Sequence, residues 1–128
     1  MAENNHRVVV INVLDGDYYD DCRIAGSINI PLRDIGRCEK EYEKDADIVV
    51  YCAHELCTAS MEALKALKEL GFTNVQAFEA GMAGWYQADL PVEGSCTLEY
   101  LAHQQTKEPE EGPDIISAEE LAKKMGFR

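Results

Sequence analysis

The stretch "IVVYCAHELCTAS", Ile48 to Ser60, decides the reading of this chain. A β-branched apolar run ends in Cys52, a few small and polar residues follow, and a second cysteine, Cys57, precedes a helical pattern. A short apolar run bounded by turn signals reads as a buried strand. In an open parallel sheet, sites form outside the carboxyl ends of the strands. The loop after Cys52 leads into a helix start, where free amides and the helix dipole favour negative charge. A thiol there is activated as a thiolate. The competing interpretation is a buried structural cysteine, since free cysteine is among the most buried residue types.

The strands around this stretch set the fold class. "VVVINVL" (Val8 to Leu14) reads as a buried parallel strand, "GSINIPL" (Gly26 to Leu32) as a second, and Asn74 to Phe78 as a further one. Residues Arg33 to Asp47 are charged and helix-compatible. From Thr58 to Leu70, Ser60, Ala63, Leu64, Leu67 and Leu70 fall on one helical face, with Gly71 as the stop. "EAGMAGWYQADLPV" reads as a Gly-rich loop and a short helix in which Trp85 packs in the core. Strands alternating with helices predict an α/β fold with a central parallel sheet of about five strands and helices on both faces.

Bulk composition narrows the partners. The 128 residues suit one domain. Twelve basic against 24 acidic residues give a formal charge of −12, which disfavours nucleic acid and anionic membrane surfaces. No apolar run approaches the ~20 residues that span a bilayer, and the N-terminus lacks the pattern of a secretory signal. A cytoplasmic protein is expected, with its five cysteines (Cys22, Cys38, Cys52, Cys57, Cys96) mostly thiols at rest and Cys22, Cys38 and Cys96 incidental. The spacings do not form paired zinc knuckles, so no metal and no organic cofactor are expected.

The pieces "VVINVLD", "AGSINIPL", "IVVYC" with its loop and helix, "LKELGFTNVQAFEAGMAGW" and "LPVEG" stand in an order that resembles the rhodanese-like domain family, over roughly Val8 to Gly94. The resemblance implies a three-layer rhodanese-like fold. It implies that Cys52 accepts sulfane sulfur as a persulfide, held by loop amides, and passes it to a thiophilic acceptor. The active-site and substrate-binding loop is then Ala53, His54, Glu55, Leu56, Cys57 and Thr58. It lacks the Arg or Lys common in thiosulfate-using members, so thiosulfate is expected to be a poor donor. A small sulfur compound or a partner protein's thiol is the expected exchange partner, and a monomer is the expected state. Phosphoryl chemistry would need Arg where Thr58 stands, to clamp the oxyanion.

Cys57 departs from the family pattern. In this Cys-x4-Cys loop it reads either as a resolving thiol that closes a disulfide with Cys52 or as a small apolar residue packed under the helix. Two alternatives to sulfur transfer follow: a non-catalytic regulatory or binding module, and a dithiol redox protein using Cys52 and Cys57. The expected organisation is a core over residues 1–94, an acidic linker over 95–113, and a strand and helix over 114–128. In the tail, Ser117 and Glu120 form a capping-box pattern. The family's opening element resembles "ISAEELAK", which here follows the core. Either a circular permutation is expected, with Asp114 to Ser117 adding an edge strand beside Asn74–Phe78 and Ala118 to Met125 packing behind it through Leu121 and Met125, or the tail begins a second domain or docks elsewhere.

Overall fold

The computed structural model describes residues 8–54, 57–103 and 114–127. Four parallel strands form the central sheet: β1 (Val9–Asn12), β3 (Ile28–Asn29), β4 (Ile48–Tyr51) and β5 (Val75–Phe78), in the order β3-β1-β4-β5. The expected count was about five. Position 115 explains the difference: Ile115 makes a single parallel bridge to Ala77 at the free edge of β5 rather than a full strand. A separate antiparallel pair, β2 (Arg23–Ile24) with β6 (Val92–Glu93), was not anticipated. Its strands are two residues each, too short to show a period in sequence.

The sheet is buried on both faces, which is why its strands are apolar throughout. Ile48, Val49, Val50 and Tyr51 are all buried. Ile48 and Val50 pack with Ala63, Leu64 and Leu67 of α3 (Ala59–Glu69) and with Ile35 and Cys38. Val49 and Tyr51 point the other way, onto Met82 and Trp85 of α4 (Gly81–Gln87) and Leu121 of α5 (Ala118–Met125). Alternation along one strand thus serves two cores. The charged stretch after Leu32 is a 3-10 helix, Leu32–Arg37, running into the four-residue α2 (Cys38–Glu41). Helix α1 (Gly16–Asp21) precedes β2. Gly71, at φ +103°, ends the turn after α3 in the left-handed region that suits glycine.

The C-terminal segment returns to the edge of β5. The Ala77 amide donates to the Asp114 carbonyl at 2.7 Å, and the Ile116 amide donates to the Ala77 carbonyl at 3.0 Å. Helix α5 opens with a capping box: the Glu120 amide donates to Ser117 Oγ at 3.1 Å, and the Ser117 amide donates to Glu120 Oε1 at 3.2 Å. Leu121 is buried and Met125 partly buried against the second core.

Two expectations are corrected. Residues 95–103 are part of the packed domain rather than a linker: the 3-10 helix Glu99–Ala102 buries Leu101 against the second core. Residues 104–113, the rest of the expected linker, lie outside the described residues. Cys22 and Cys96 are a disulfide, with Cα atoms 4.5 Å apart, and not free thiols. Their separation of 74 residues hid the pairing, because only the path of the chain after β6 brings them together. No helix among the described residues is long and apolar enough to cross a membrane.

Candidate active site: a thiol pair at the end of the central strand

Strand β4 delivers Cys52 to the carboxyl end of the sheet, fully buried. The chain turns sharply after it, and the Cys57 amide donates to the His54 carbonyl at 3.0 Å. That turn brings Cys57 back over Cys52. The Cys52 thiol lies 3.5 Å from the Cys57 carbonyl oxygen, to which it can donate. It also hydrogen-bonds the Cys57 sulfur, so the two sulfurs meet across the loop. Glu55 and Leu56 lie outside the described residues.

The pair divides its protons unequally. The hydrogen bond from Cys52 brings the Cys57 thiol down to about 5, against the opposing effect of its own partial burial. The amides of Ala53 and Ala59 and the nearby His54 imidazole add to the lowering. The same hydrogen bond, together with burial, pushes the Cys52 thiol well up, although the Ser60 hydroxyl and amide pull the other way. An activated Cys52 was expected. The thiol pulled down is instead Cys57, the half-buried member of the pair, while Cys52 is the one sealed from water. The first amides of α3 do face this site as the helix-start argument required, with Ala59 serving Cys57 and Ser60 serving Cys52. Ser60 Oγ is buried and makes no hydrogen bond of good geometry. Thr58 has turned outward, its hydroxyl donating to Glu62 Oε2 at 2.9 Å. Cys38 is remote from this chemistry: burial pushes it up to about 11.

Helix α4 fixes the floor of the loop, a role that sequence reading missed. The Met82 amide donates to the Cys52 carbonyl and the Ala83 amide to the Ala53 carbonyl, each at 2.8 Å. Gly81 makes this approach possible. A Cβ there would stand 2.8 Å from the Cys52 carbonyl oxygen, the Ala53 carbonyl carbon and the His54 amide, and its φ of +69° already favours glycine. The "GMAG" stretch gave the signal, since a glycine at the turn into a helix marks a position where the backbone is approached closely. Beneath the loop, Tyr51 is held by three buried partners. Asn12 Nδ2 (3.2 Å) and the Ile24 amide (3.1 Å) donate to its hydroxyl oxygen, and Ser27 Oγ lies 2.9 Å away to take its proton.

No group of side chains suited to a metal ion occurs among the described residues. The chemistry this geometry can perform is that of sulfur: one thiolate, one thiol in contact with it, and backbone donors able to hold a second negative sulfur.

Residues 1–88 match the family described as rhodanese-like domain. The chain is 29% identical over 85 residues to a thiosulfate sulfurtransferase, GlpE, of Actinobacillus succinogenes, covering 66% of this chain and 75% of that protein. It is 31% identical over 86 residues to an HTH-type transcriptional regulator, Rv0324, of Mycobacterium tuberculosis; that similarity covers 67% of this chain but only 38% of the regulator's length. Among solved structures, the BH2092 protein from Bacillus halodurans superposes with a TM-score of 0.65 at 28% identity, over 72% of this chain and 67% of its own. Because the match spans residues 1–88 of 128, and the parallel sheet carries the same fold, the chain belongs to the rhodanese-like domain family.

Proposed function

We propose that the protein is a sulfur carrier of the rhodanese type, in which Cys52 takes sulfane sulfur from a persulfide and hands it to a thiophilic acceptor. The observation that carries this reading is the Cys52–Cys57 thiol pair at the end of β4, with the α3 amides facing both sulfurs. Similarity to a thiosulfate sulfurtransferase supports the reaction class. The loop residues Ala53, His54, Glu55, Leu56, Cys57 and Thr58 carry no Arg or Lys, so a low-molecular-weight or protein persulfide suits the site better than thiosulfate.

The step runs as a displacement at sulfur. Cys52 attacks the outer sulfur of a donor R–S–S–H and gives up its proton toward the leaving sulfur. The donor's S–S bond breaks, R–S⁻ leaves with the electron pair and takes a proton, and a new S–S bond forms on Cys52. A thiophilic acceptor then attacks the outer sulfur, and the Cys52 thiolate leaves. The amides of Ala59 and Ser60 hold negative sulfur throughout, and burial excludes competing water. As a resolving thiol, Cys57 would attack the Cys52 sulfur of the persulfide, expel hydrosulfide and close a disulfide.

Contact between the two sulfurs also favours a second reading, a dithiol redox protein. There the pair would reduce an external disulfide R–S–S–R to two thiols and become a disulfide itself. Steady-state turnover of Cys52→Ser and Cys57→Ser with a glutathione persulfide donor and cyanide as acceptor separates the two. Sulfur transfer predicts loss of at least a hundredfold in Cys52→Ser and retention of turnover in Cys57→Ser. Loss of turnover in both, with wild-type reduction of a disulfide, would favour the redox reading.

A further inference from the structure

The buried face of α3 carries Ser60, Ala63, Leu64 and Leu67, so a polar side chain stands among apolar ones. Ser60 is only 1% exposed. The polar residues buried among the described residues are Asn12, Ser27 and Ser60. Asn12 Nδ2 and Ser27 Oγ meet the Tyr51 hydroxyl at 3.2 and 2.9 Å. Ser60 Oγ has no such partner. A hydroxyl buried and unpaired costs stability, because it has given up water without a replacement. The common local uses of a helix-start serine are also untaken. Such a side chain usually bonds nearby backbone, yet Ser60 does not, and the N-cap Thr58 makes no cap bond either. What Ser60 does adjoin is the fully buried Cys52 sulfur. The Ser60 hydroxyl and amide both pull the Cys52 thiol down, against the upward push of burial.

We propose that the Ser60 hydroxyl is a donor kept unpaired at rest for Cys52, and that it stabilises this sulfur as the leaving group when sulfane sulfur is handed on. The proposal rests on the reading that Cys52 carries the sulfur. At rest Cys52 is a thiol whose proton is directed at the Cys57 carbonyl, and a neutral sulfur is a weak acceptor. An ionised acceptor makes a hydrogen bond roughly twice as strong. A serine hydroxyl rotates to suit its partner, so engaging the charged sulfur needs no backbone movement. Discharge is the step that creates the charge. Starting from the Cys52 persulfide anion, an acceptor such as cyanide attacks the outer sulfur and forms a C–S bond. The S–S bond breaks, its electron pair goes to the Cys52 sulfur, and thiocyanate leaves with the other negative charge. A bond that is stronger in the transition state than before it accelerates the step. Burial keeps water from serving as the donor instead, so the charge falls to Ser60 and the α3 amides.

Single-turnover kinetics of the full chain test this. The chain is loaded with a glutathione persulfide, the excess is removed, and the added sulfur is located by peptide mapping. Thiocyanate release is then followed after mixing with cyanide. Ser60→Ala is expected to slow discharge of the loaded chain by about 10- to 100-fold, the worth of a hydrogen bond to a charged group. Urea unfolding supplies a readout that a merely structural serine would move the other way. Ser60→Ala removes an unpaired buried hydroxyl, so its midpoint should hold or rise. Ser60→Thr keeps the hydroxyl and should recover most of the discharge rate. A discharge rate in Ser60→Ala equal to that of the wild type overturns the proposal alone. So does a slowed rate that comes with a lowered midpoint and is not recovered by Ser60→Thr. A wild-type chain that gains no sulfur on Cys52 contradicts sulfur transfer itself, and the proposal falls with it.

Discussion

At the residue scale, the site is governed by which sulfur is sealed from water. Cys52 is fully buried and holds its proton tightly, and its hydrogen bond to Cys57 lowers the Cys57 thiol. The sign of the pH dependence follows. Cys57 is a thiolate above about 5 and becomes a thiol as the pH falls through that value. Alkylation at Cys57 should therefore stay fast from neutral pH down to about 5 and fall below it, while Cys52 and Cys38 remain slow. Peptide-mapped iodoacetamide rates between pH 4 and 9 check this; a flat or reversed order would show that the proton sits on Cys57. Tyr51 offers a second test. Tyr51→Phe leaves the Asn12 side chain and the Ile24 amide without an acceptor, which should cost about 1–3 kcal/mol in denaturant unfolding. The strand, the cysteine at its end and the helix after it were legible because each carries a local pattern. The proton's position was not, because it depends on how the turn returns Cys57 to Cys52, a matter of three-dimensional burial.

At the element scale, α4 and α5 show two different degrees of legibility. The capping box of α5 is a four-residue signal, and Ser117 and Glu120 make both of its bonds. Which surface the helix covers is a long-range fact, fixed by the Ala77–Ile115 bridge and by ion pairs of Lys68 with Asp114 and Lys124 with Asp47. We propose that this tail supplies the edge element that the family resemblance implies before β1. Leu121 is fully buried, so Leu121→Ala should destabilise the domain by about 2–5 kcal/mol. An unchanged unfolding midpoint would mean that α5 adds nothing to the fold. In α4, Gly81→Ala would drive a Cβ against the backbone of Cys52, Ala53 and His54. Sulfur transfer should drop at least tenfold while far-ultraviolet circular dichroism stays native, since the displacement falls on the loop rather than the sheet.

At the scale of the whole molecule, the fold class was legible and its closure was not. Alternating strands and helices announce a parallel α/β sheet, and an apolar β4 announces burial on both faces. Neither reveals that Cys22 and Cys96, separated by 74 residues, tie the chain after β6 back to the end of α1. Cross-linking a loop of that length removes chain entropy from the unfolded state, worth roughly 4 kcal/mol if native geometry is unperturbed. Reducing the disulfide, or replacing Cys96 with Ser, should therefore lower unfolding free energy by about 2–5 kcal/mol in urea titrations. The central claim is that the family frame is used here to carry sulfur on Cys52. Its most direct measurement is brief incubation of the native chain with polysulfide, removal of excess, blocking of thiols, and peptide mapping by mass spectrometry. The account predicts one added sulfur atom on the Cys52 peptide, removed by cyanide. A chain that gains sulfur on no loop cysteine, or equally on Cys38 and Cys52, would contradict it.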